Sequence, residues 1–204
     1  NILGTFKPPK SVLICPVFLE TLERCEILSG IGEILKVHTI DSIERFNNVS
    51  NDYDILLSDP MVLLKYIKDS LLIKKKYIEL DEYDTGVRNI FNYGHSFGHA
   101  IESATQFAIP HGIAVTIGMD MANRISSWRG SLPEMHYKRM HGVLRKNYLD
   151  YINVDVPIEL MLTALKKDKK NTAESLMLIL PIGEKASVEV VAVEADDKFA
   201  SQCK

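Results

Sequence analysis

The stretch from Arg88 to His111, RNIFNYGHSFGHAIESATQFAIPH, constrains what this chain can fold into more than any other. It holds three of the six histidines. Arg88 and Asn92 are four residues apart, Asn92 and His95 three, and His95 and His99 four. On an α-helix such neighbours project to one side. The spacing predicts a helix from Arg88 to Ser103 with a polar strip where a core seam would carry Leu or Ile. Pro110-His111-Gly112 then brings a third imidazole to the start of a new apolar segment.

A chain of 204 residues can bury a substantial core, and 46% hydrophobic with 25% charged content is ordinary for a soluble globular protein. The formal charge of −3 argues against a general nucleic-acid binder, which would carry a basic face. The basic runs Lys74–Lys76 and Lys166–Lys170 are, taken alone, solvated helix faces. Cys15, Cys25 and Cys203 are odd in number and widely spaced, which fits free thiols in a reducing, cytoplasmic setting. No apolar run reaches the roughly 18 residues a membrane span needs, and no signal peptide opens the chain. The first residue is Asn1 rather than Met, so the chain is expected to be part of something longer.

Along the chain, NILGTFKPPK is an irregular lead-in with Pro8-Pro9 blocking helix. SVLICP, Ser11 to Pro16, is a short apolar run expected to form a buried strand. A lone strand needs a sheet that the following residues do not supply. From Phe18 the pattern turns helical. LETLERCEILSGIGEILKVHTI predicts two helical pieces broken near Ser29-Gly30. Ser58-Asp59-Pro60 is a cap followed by a first-turn proline, opening a helix to about Leu80. Ile113, Ile117 and Met121 repeat every four residues with Ala114, Gly118 and Ala122 between them, which predicts a central helix packed closely on several sides. Further helices are expected from Glu134 to about Tyr148 and from Pro157 to about Leu165. SLMLILPIGEKASVEVVAV predicts a hairpin around Gly183-Glu184, and DDKFASQCK a frayed tail. The expected fold class is mainly α: residues 1–17 form the lead-in and strand, and 18–204 a helical domain with a small hairpin.

Two imidazoles at i and i+4 can grip one divalent ion, with a carboxylate from another helix as third ligand. Spacing alone makes His95 and His99 that pair and leaves the carboxylate open among Glu33, Glu82, Asp84 and Glu102. His38, His136 and His141 are expected to be ordinary structural histidines. Arg88, Lys74 and Lys36 add fixed cations suited to a phosphorylated or carboxylate substrate.

NYGHSFGHAIE followed by PHGIAVTIGM resembles the signature of 3-dehydroquinate synthase and related sugar-phosphate cyclases. The resemblance extends upstream through NILGTFKPPKSVLI, FLETL, GIGEILK and KKKYIELDEYDTGVR, and downstream through DKKN and LILPIG, so it covers most of the chain. It implies metal ligands at Glu33, His95 and His111, holding Zn²⁺ or Co²⁺. His99 then becomes a substrate-contacting residue active in proton transfer, and Lys36 and Asn92 join it as catalytic positions. Asn1, Lys36, Lys74, Arg88, Asn92 and His99 match substrate-binding positions, as does one of Lys169 and Lys170. Phe18, Leu19, Glu20 and Thr21 match part of the rim around NAD.

The implied reaction converts 3-deoxy-D-arabino-heptulosonate 7-phosphate to 3-dehydroquinate in aromatic amino acid biosynthesis by the shikimate pathway. NAD⁺ oxidises a hydroxyl transiently, phosphate leaves, the hydride returns and the freed enol closes the ring. The resemblance also implies a homodimer and an N-terminal α/β domain that binds NAD through a glycine-rich turn. No such glycine cluster occurs in this sequence. The strand at Ser11–Pro16 is accordingly expected to join that other domain's sheet, and this polypeptide alone is expected to bind NAD poorly and not turn over. Cys15 stands where the family has Asp, Cys25 where it has Arg, Asp84 where it has Glu, and Ile113 where it has an acid. These departures keep open a cyclase of the 2-deoxy-scyllo-inosose type. Also open are an iron-containing or glycerol dehydrogenase-like oxidoreductase, and a non-catalytic domain with structural histidines.

Overall fold

The centre of the computed structural model is the 18-residue helix that the small-residue repeat predicts; the structure describes residues 10–83, 86–166 and 175–203. Among the described residues, eight α-helices before the hairpin run in the order α1 (Arg24–Asp41), α2 (Ile43–Asn51), α3 (Tyr53–Leu56), α4 (Pro60–Leu80), α5 (His95–Ala104), α6 (His111–Trp128), α7 (Glu134–Tyr148) and α8 (Ile158–Lys166). The antiparallel hairpin β1 (Ser175–Ile182) and β2 (Ser187–Glu194) follows, then α9 (Asp197–Gln202). Helix α6 packs against α1, α5, α7 and β1. Ile113, Ala114, Val115, Met119, Ala122 and Ile125 on it are almost entirely buried. Burying each of the larger ones is worth roughly 1.5–3 kcal/mol.

Small residues permit these crossings. A Cβ on Gly32 of α1 would stand 2.3 Å from the Gly112 carbonyl oxygen, and one on Gly118 of α6 would stand 2.2 Å from that of Gly94. Such separations lie far inside van der Waals contact, so the backbones meet only because those side chains are absent. Ser29 Oγ accepts a 2.8 Å bond from Gly112 N, pinning the start of α6 onto α1.

Capping explains α4. Asp59 Oδ1 accepts from Met61 N and Val62 N at 2.8 and 3.4 Å, and Pro60 occupies the first turn, where its missing N–H costs nothing. The hairpin pairs Ser175 with Glu194 through Ile182 with Ser187, and Gly183 turns it with φ +69°. No described helix is long and apolar enough to cross a membrane.

Three expectations need correction. Residues 11–15 are exposed and pair with no strand among the described residues, and a 3₁₀ turn begins at Pro16; the strand expected there is one that pairs with another domain's sheet. Helix α1 runs unbroken through Ser29-Gly30, because the contacts of Leu28, Ile31, Ile34 and Leu35 outweigh the ~1 kcal/mol cost of an internal glycine. The predicted Arg88–Ser103 helix is two elements: a 3₁₀ helix at Val87–Asn92, then α5, divided by Gly94 at φ +77°. The tail is not frayed, since α9 buries Phe199 in the core and Cys203 beside it.

Candidate metal and substrate site

Three helices deliver the site. Glu33 and Lys36 lie one turn apart on α1, and His95 and His111 are the first residues of α5 and α6. The left-handed turn at Gly94 sets the direction in which α5 starts, so His95 belongs to a helix N-terminus rather than to a continuous polar strip. Its Nδ1 donates to the Tyr93 carbonyl at 3.3 Å, which leaves Nε2 as the bare nitrogen. His111 Nδ1 donates to Glu102 Oε1 at 3.1 Å. This carboxylate–histidine contact fixes the tautomer in the same way.

The bare nitrogens face one carboxylate. Glu33 Oε1 is 3.8 Å from His95 Nε2 and 4.0 Å from His111 Nε2. Tetrahedral ligands at ~2.1 Å from a zinc ion lie ~3.4 Å apart, so small side-chain adjustments bring these three atoms around one ion. One carboxylate and two neutral imidazoles is a set that catalytic zinc uses. His99 lies a turn beyond His95, its ring centre 5.2 Å from that of His95 and 5.7 Å from that of His111. Ligand atoms of His95, His99 and His111 all come within 4.8 Å of one another, so His99 is a second neighbour able to complete a set.

Charge around the site is tightly arranged. The Lys36 ammonium donates to both Glu33 oxygens, at 3.1 and 2.9 Å. Burial pushes the Glu33 carboxyl upward, but Lys36, His95 and Lys74 together hold it below its usual range. Burial lowers Lys36, with Lys74 adding to the effect and Glu33 opposing it. Burial and the Lys36 charge depress His95 to about 4, which keeps its imidazole neutral at physiological pH. A neutral imidazole is the form that binds a cation.

Beside these residues a cavity of about 240 Å³ is lined by Lys36, Lys74, Ile78, Arg88, Phe91 and Asn92. Arg88 Nη1 donates to the carbonyls of Asp81 and Glu82 at 3.2 and 2.9 Å, at the end of α4, which aims the guanidinium. Three cations around a pocket of this size suit an anionic small molecule.

Among the other candidate residues, Phe18, Leu19, Glu20 and Thr21 sit in the 3₁₀ turn Pro16–Thr21; Phe18 is exposed and Leu19 rests on the core. Asn1, Asp84, Lys169 and Lys170 lie outside the described residues. Glu82 is exposed and meets Arg88 only through its carbonyl, and Glu102 lies behind His111 rather than beside Glu33. Ile113 is fully buried, so where an acid would stand this chain has a core contact. His38 is buried, His136 contacts Arg139, and His141 Nδ1 pairs with Asp120 at 2.7 Å. The contact of Glu102 with His111 was not legible in the spacing, because the turn over residues 105–110 brings them together.

Residues 30–171 match the family model for the C-terminal part of 3-dehydroquinate synthase. The chain is 36% identical over 199 residues to the 3-dehydroquinate synthase of Thermoanaerobacter sp. (strain X514), covering 97% of this chain and 56% of that protein. It is 35% identical over 199 residues to that of Alkaliphilus metalliredigens (strain QYMF), with the same coverage of 97% and 56%. It therefore spans about 56% of the length of these relatives. Among solved structures, 2-epi-5-epi-valiolone synthase from Streptomyces hygroscopicus subsp. jinggangensis 5008, with NAD⁺ and Zn²⁺ bound, superposes with a TM-score of 0.79 at 25% identity, covering 100% of this chain and 57% of that one. A 2-deoxy-scyllo-inosose synthase superposes at 0.81 with 23% identity, again over 100% of this chain and 57% of that one, and shows the shared fold. From the match to residues 30–171 and the identity to these relatives, the chain belongs to the 3-dehydroquinate synthase family, in the part that corresponds to its C-terminal domain.

Proposed function

We propose that this chain is the metal- and substrate-binding portion of a sugar-phosphate cyclase that converts 3-deoxy-D-arabino-heptulosonate 7-phosphate to 3-dehydroquinate with loss of phosphate. The observation that carries this reading is Glu33 Oε1 within 4.0 Å of both His95 Nε2 and His111 Nε2, beside a cavity walled by Lys36, Lys74 and Arg88. Glu33, His95 and His111 hold the ion, Zn²⁺ or Co²⁺, which when bound supplies a Lewis acid for a substrate hydroxyl. NAD, when bound, supplies the transient oxidation. Phe18 to Thr21 form part of its rim, and the rest of its site lies in a further N-terminal domain.

The chain's own residues bind and orient. Arg88 grips an anionic oxygen pair with its planar fork, and Lys74 adds a point charge. Lys36, one turn from Glu33, screens the carboxylate and faces the substrate cavity, while the Asn92 amide positions a hydroxyl. His99 stands one turn beyond His95, where it takes and returns a proton at the reacting carbon's oxygen. Asn1 and one of Lys169 and Lys170 complete the anion contacts. The active protein is a cytoplasmic homodimer in this reading.

The test is release of inorganic phosphate from the heptulosonate phosphate by the protein carrying this chain together with its cofactor domain, with NAD⁺ and Zn²⁺ supplied. Release together with ring closure supports the reading; accumulation of NADH without phosphate release refutes it and indicates a dehydrogenase. A second reading, cyclisation of another sugar phosphate, draws on the solved neighbours and on Ile113. It predicts turnover of a hexose 6-phosphate instead.

A further inference from the structure

On the far side of α1 from the metal and substrate residues, a separate cavity of about 300 Å³ opens between α1, α2 and α4, lined among others by His38, Asn48, Asn51, Lys65, Tyr66 and Asp69. His38 lies two residues after Lys36, about 200° further around the helix, so the two side chains leave α1 in nearly opposite directions. Its Nδ1 is 2.9 Å from the Ile34 carbonyl and must donate to it. That leaves Nε2 as a lone-pair acceptor, and it has no hydrogen-bond partner among the described residues although His38 is only 1% exposed. Ser70 Oγ, one turn beyond Tyr66 on α4, is also buried without a partner among the described residues. Buried polar atoms in native proteins are nearly always paired, so an orphan acceptor beside a polar cavity calls for a donor from outside the chain.

The other lining groups define what that donor belongs to. Arg45 is held by Asp41 at 2.7 Å, and Asp52 accepts from Tyr66 Oη at 2.6 Å, so both are already engaged. The side chains of Asn48, Asn51 and Asp69 have no hydrogen-bond or ion-pair partner among the described residues. The Lys65 ammonium rests 4.7 Å from the centre of the Tyr66 ring and meets no carboxylate among the described residues. The unengaged set is therefore His38 Nε2 and the Asp69 carboxylate, which accept, Lys65, which donates, and the two amides, which do both. A purely anionic ligand would face Asp69, and a purely cationic one would face Lys65. A ligand carrying an ammonium and an acidic group a few bonds apart satisfies both.

We propose that this cavity is a second small-molecule site, distinct from the metal and substrate site, that takes a compact zwitterion of the amino-acid class. The ammonium meets Asp69 and His38 Nε2, and the acidic group meets Lys65 with Asn48 and Asn51. Nothing in this assignment depends on the cyclase reading.

The test is a titration of the chain with glycine, L-glutamine and taurine, followed through the ring C–H signals of His38 in NMR spectra. At least one probe is expected to shift His38 saturably at millimolar concentration. Acetate and methylammonium, each carrying half the charge pattern, are expected to bind about tenfold or more weakly, as loss of a charge-assisted contact implies. Asp69→Asn and Lys65→Met should each cause a loss of the same order while leaving the His95 signals and the thermal midpoint in place. No saturable His38 shift with any of the three zwitterions overturns the proposal. So does a shift that survives in the Asp69→Asn, Lys65→Met double variant.

Discussion

His111 Nδ1 donates to Glu102 Oε1 across 3.1 Å, and Glu102 is 8% exposed. The buried carboxylate sets which imidazole nitrogen carries the proton and holds the ring so that Nε2 faces Glu33. Glu102→Gln keeps the volume but removes the charge behind the ring. Zinc affinity measured by competition with a chelator is expected to fall about 10–100-fold, with the thermal midpoint of the metal-free chain little changed. An unchanged zinc affinity would remove Glu102 from the positioning role given to it here.

Gly118 sits where α6 crosses the Gly94 turn, and a Cβ there would meet the Gly94 carbonyl oxygen at 2.2 Å. Gly118→Ala is expected to destabilise the chain by about 1–3 kcal/mol or more in urea melts, because backbone rather than a flexible side chain must move. Gly142→Ala, whose added Cβ meets nothing within 4 Å, serves as the control on helix α7. It is expected to be neutral or slightly stabilising. Equal effects at the two positions would contradict the close approach at Gly118.

The depressed His95 imidazole gives stability a pH dependence with a definite sign. The unfolded side chain takes up its proton near 6.5, whereas the folded one waits until about 4. Between those values the unfolded state binds more protons, so stability rises with pH. The contribution is fully present above about pH 6.5 and is lost as pH falls toward 4. Burial also depresses His38, which adds a slope of the same sign. In urea melts of the chelator-treated chain, His95→Asn should flatten part of the decline across this window and leave the His38 share. A slope identical to that of the parent would contradict the depressed value for His95.

Local chemistry made some of this architecture readable before the fold. Asp59-Pro60 marked the start of α4, the small residues among Ile113, Ile117 and Met121 marked a central helix, and Gly183 marked the hairpin turn. Where tertiary contact decides, the sequence pattern misled. Gly30 is tolerated inside α1 because its neighbours are buried in the core. Phe199 holds α9 down although DDKFASQCK has the composition of a tail.

The site divides the same way. Spacing placed His95 and His99 on one helix face, and they do lie a turn apart on α5. It could not choose the carboxylate, because that choice is made by the crossing of α1 over α6 at Gly32 and Gly112. Nor could it see Gly94, whose left-handed turn separates Arg88 and Asn92 from the helix that bears the histidines. The resemblance named Glu33, His95 and His111 together, and Glu33 Oε1 lies 3.8 Å from His95 Nε2 and 4.0 Å from His111 Nε2.

Arg88 offers a test of the neighbouring cavity that does not involve the metal. Replacing its bidentate fork with a point charge, Arg88→Lys, should weaken binding of inorganic phosphate by roughly tenfold in calorimetry. Zinc affinity should stay unchanged. Loss of zinc affinity with intact phosphate binding would place Arg88 in the wrong half of the site.

The most direct test of the central claim is the metal stoichiometry of the purified chain after loading with Co²⁺, read by elemental analysis and by the visible absorption of the bound ion. The account predicts about one equivalent per chain in a low-symmetry site, reduced to background in Glu33→Gln with His111→Ala while the fold remains intact. A folded parent chain that binds no ion, or a double variant that binds it as well as the parent, would contradict it.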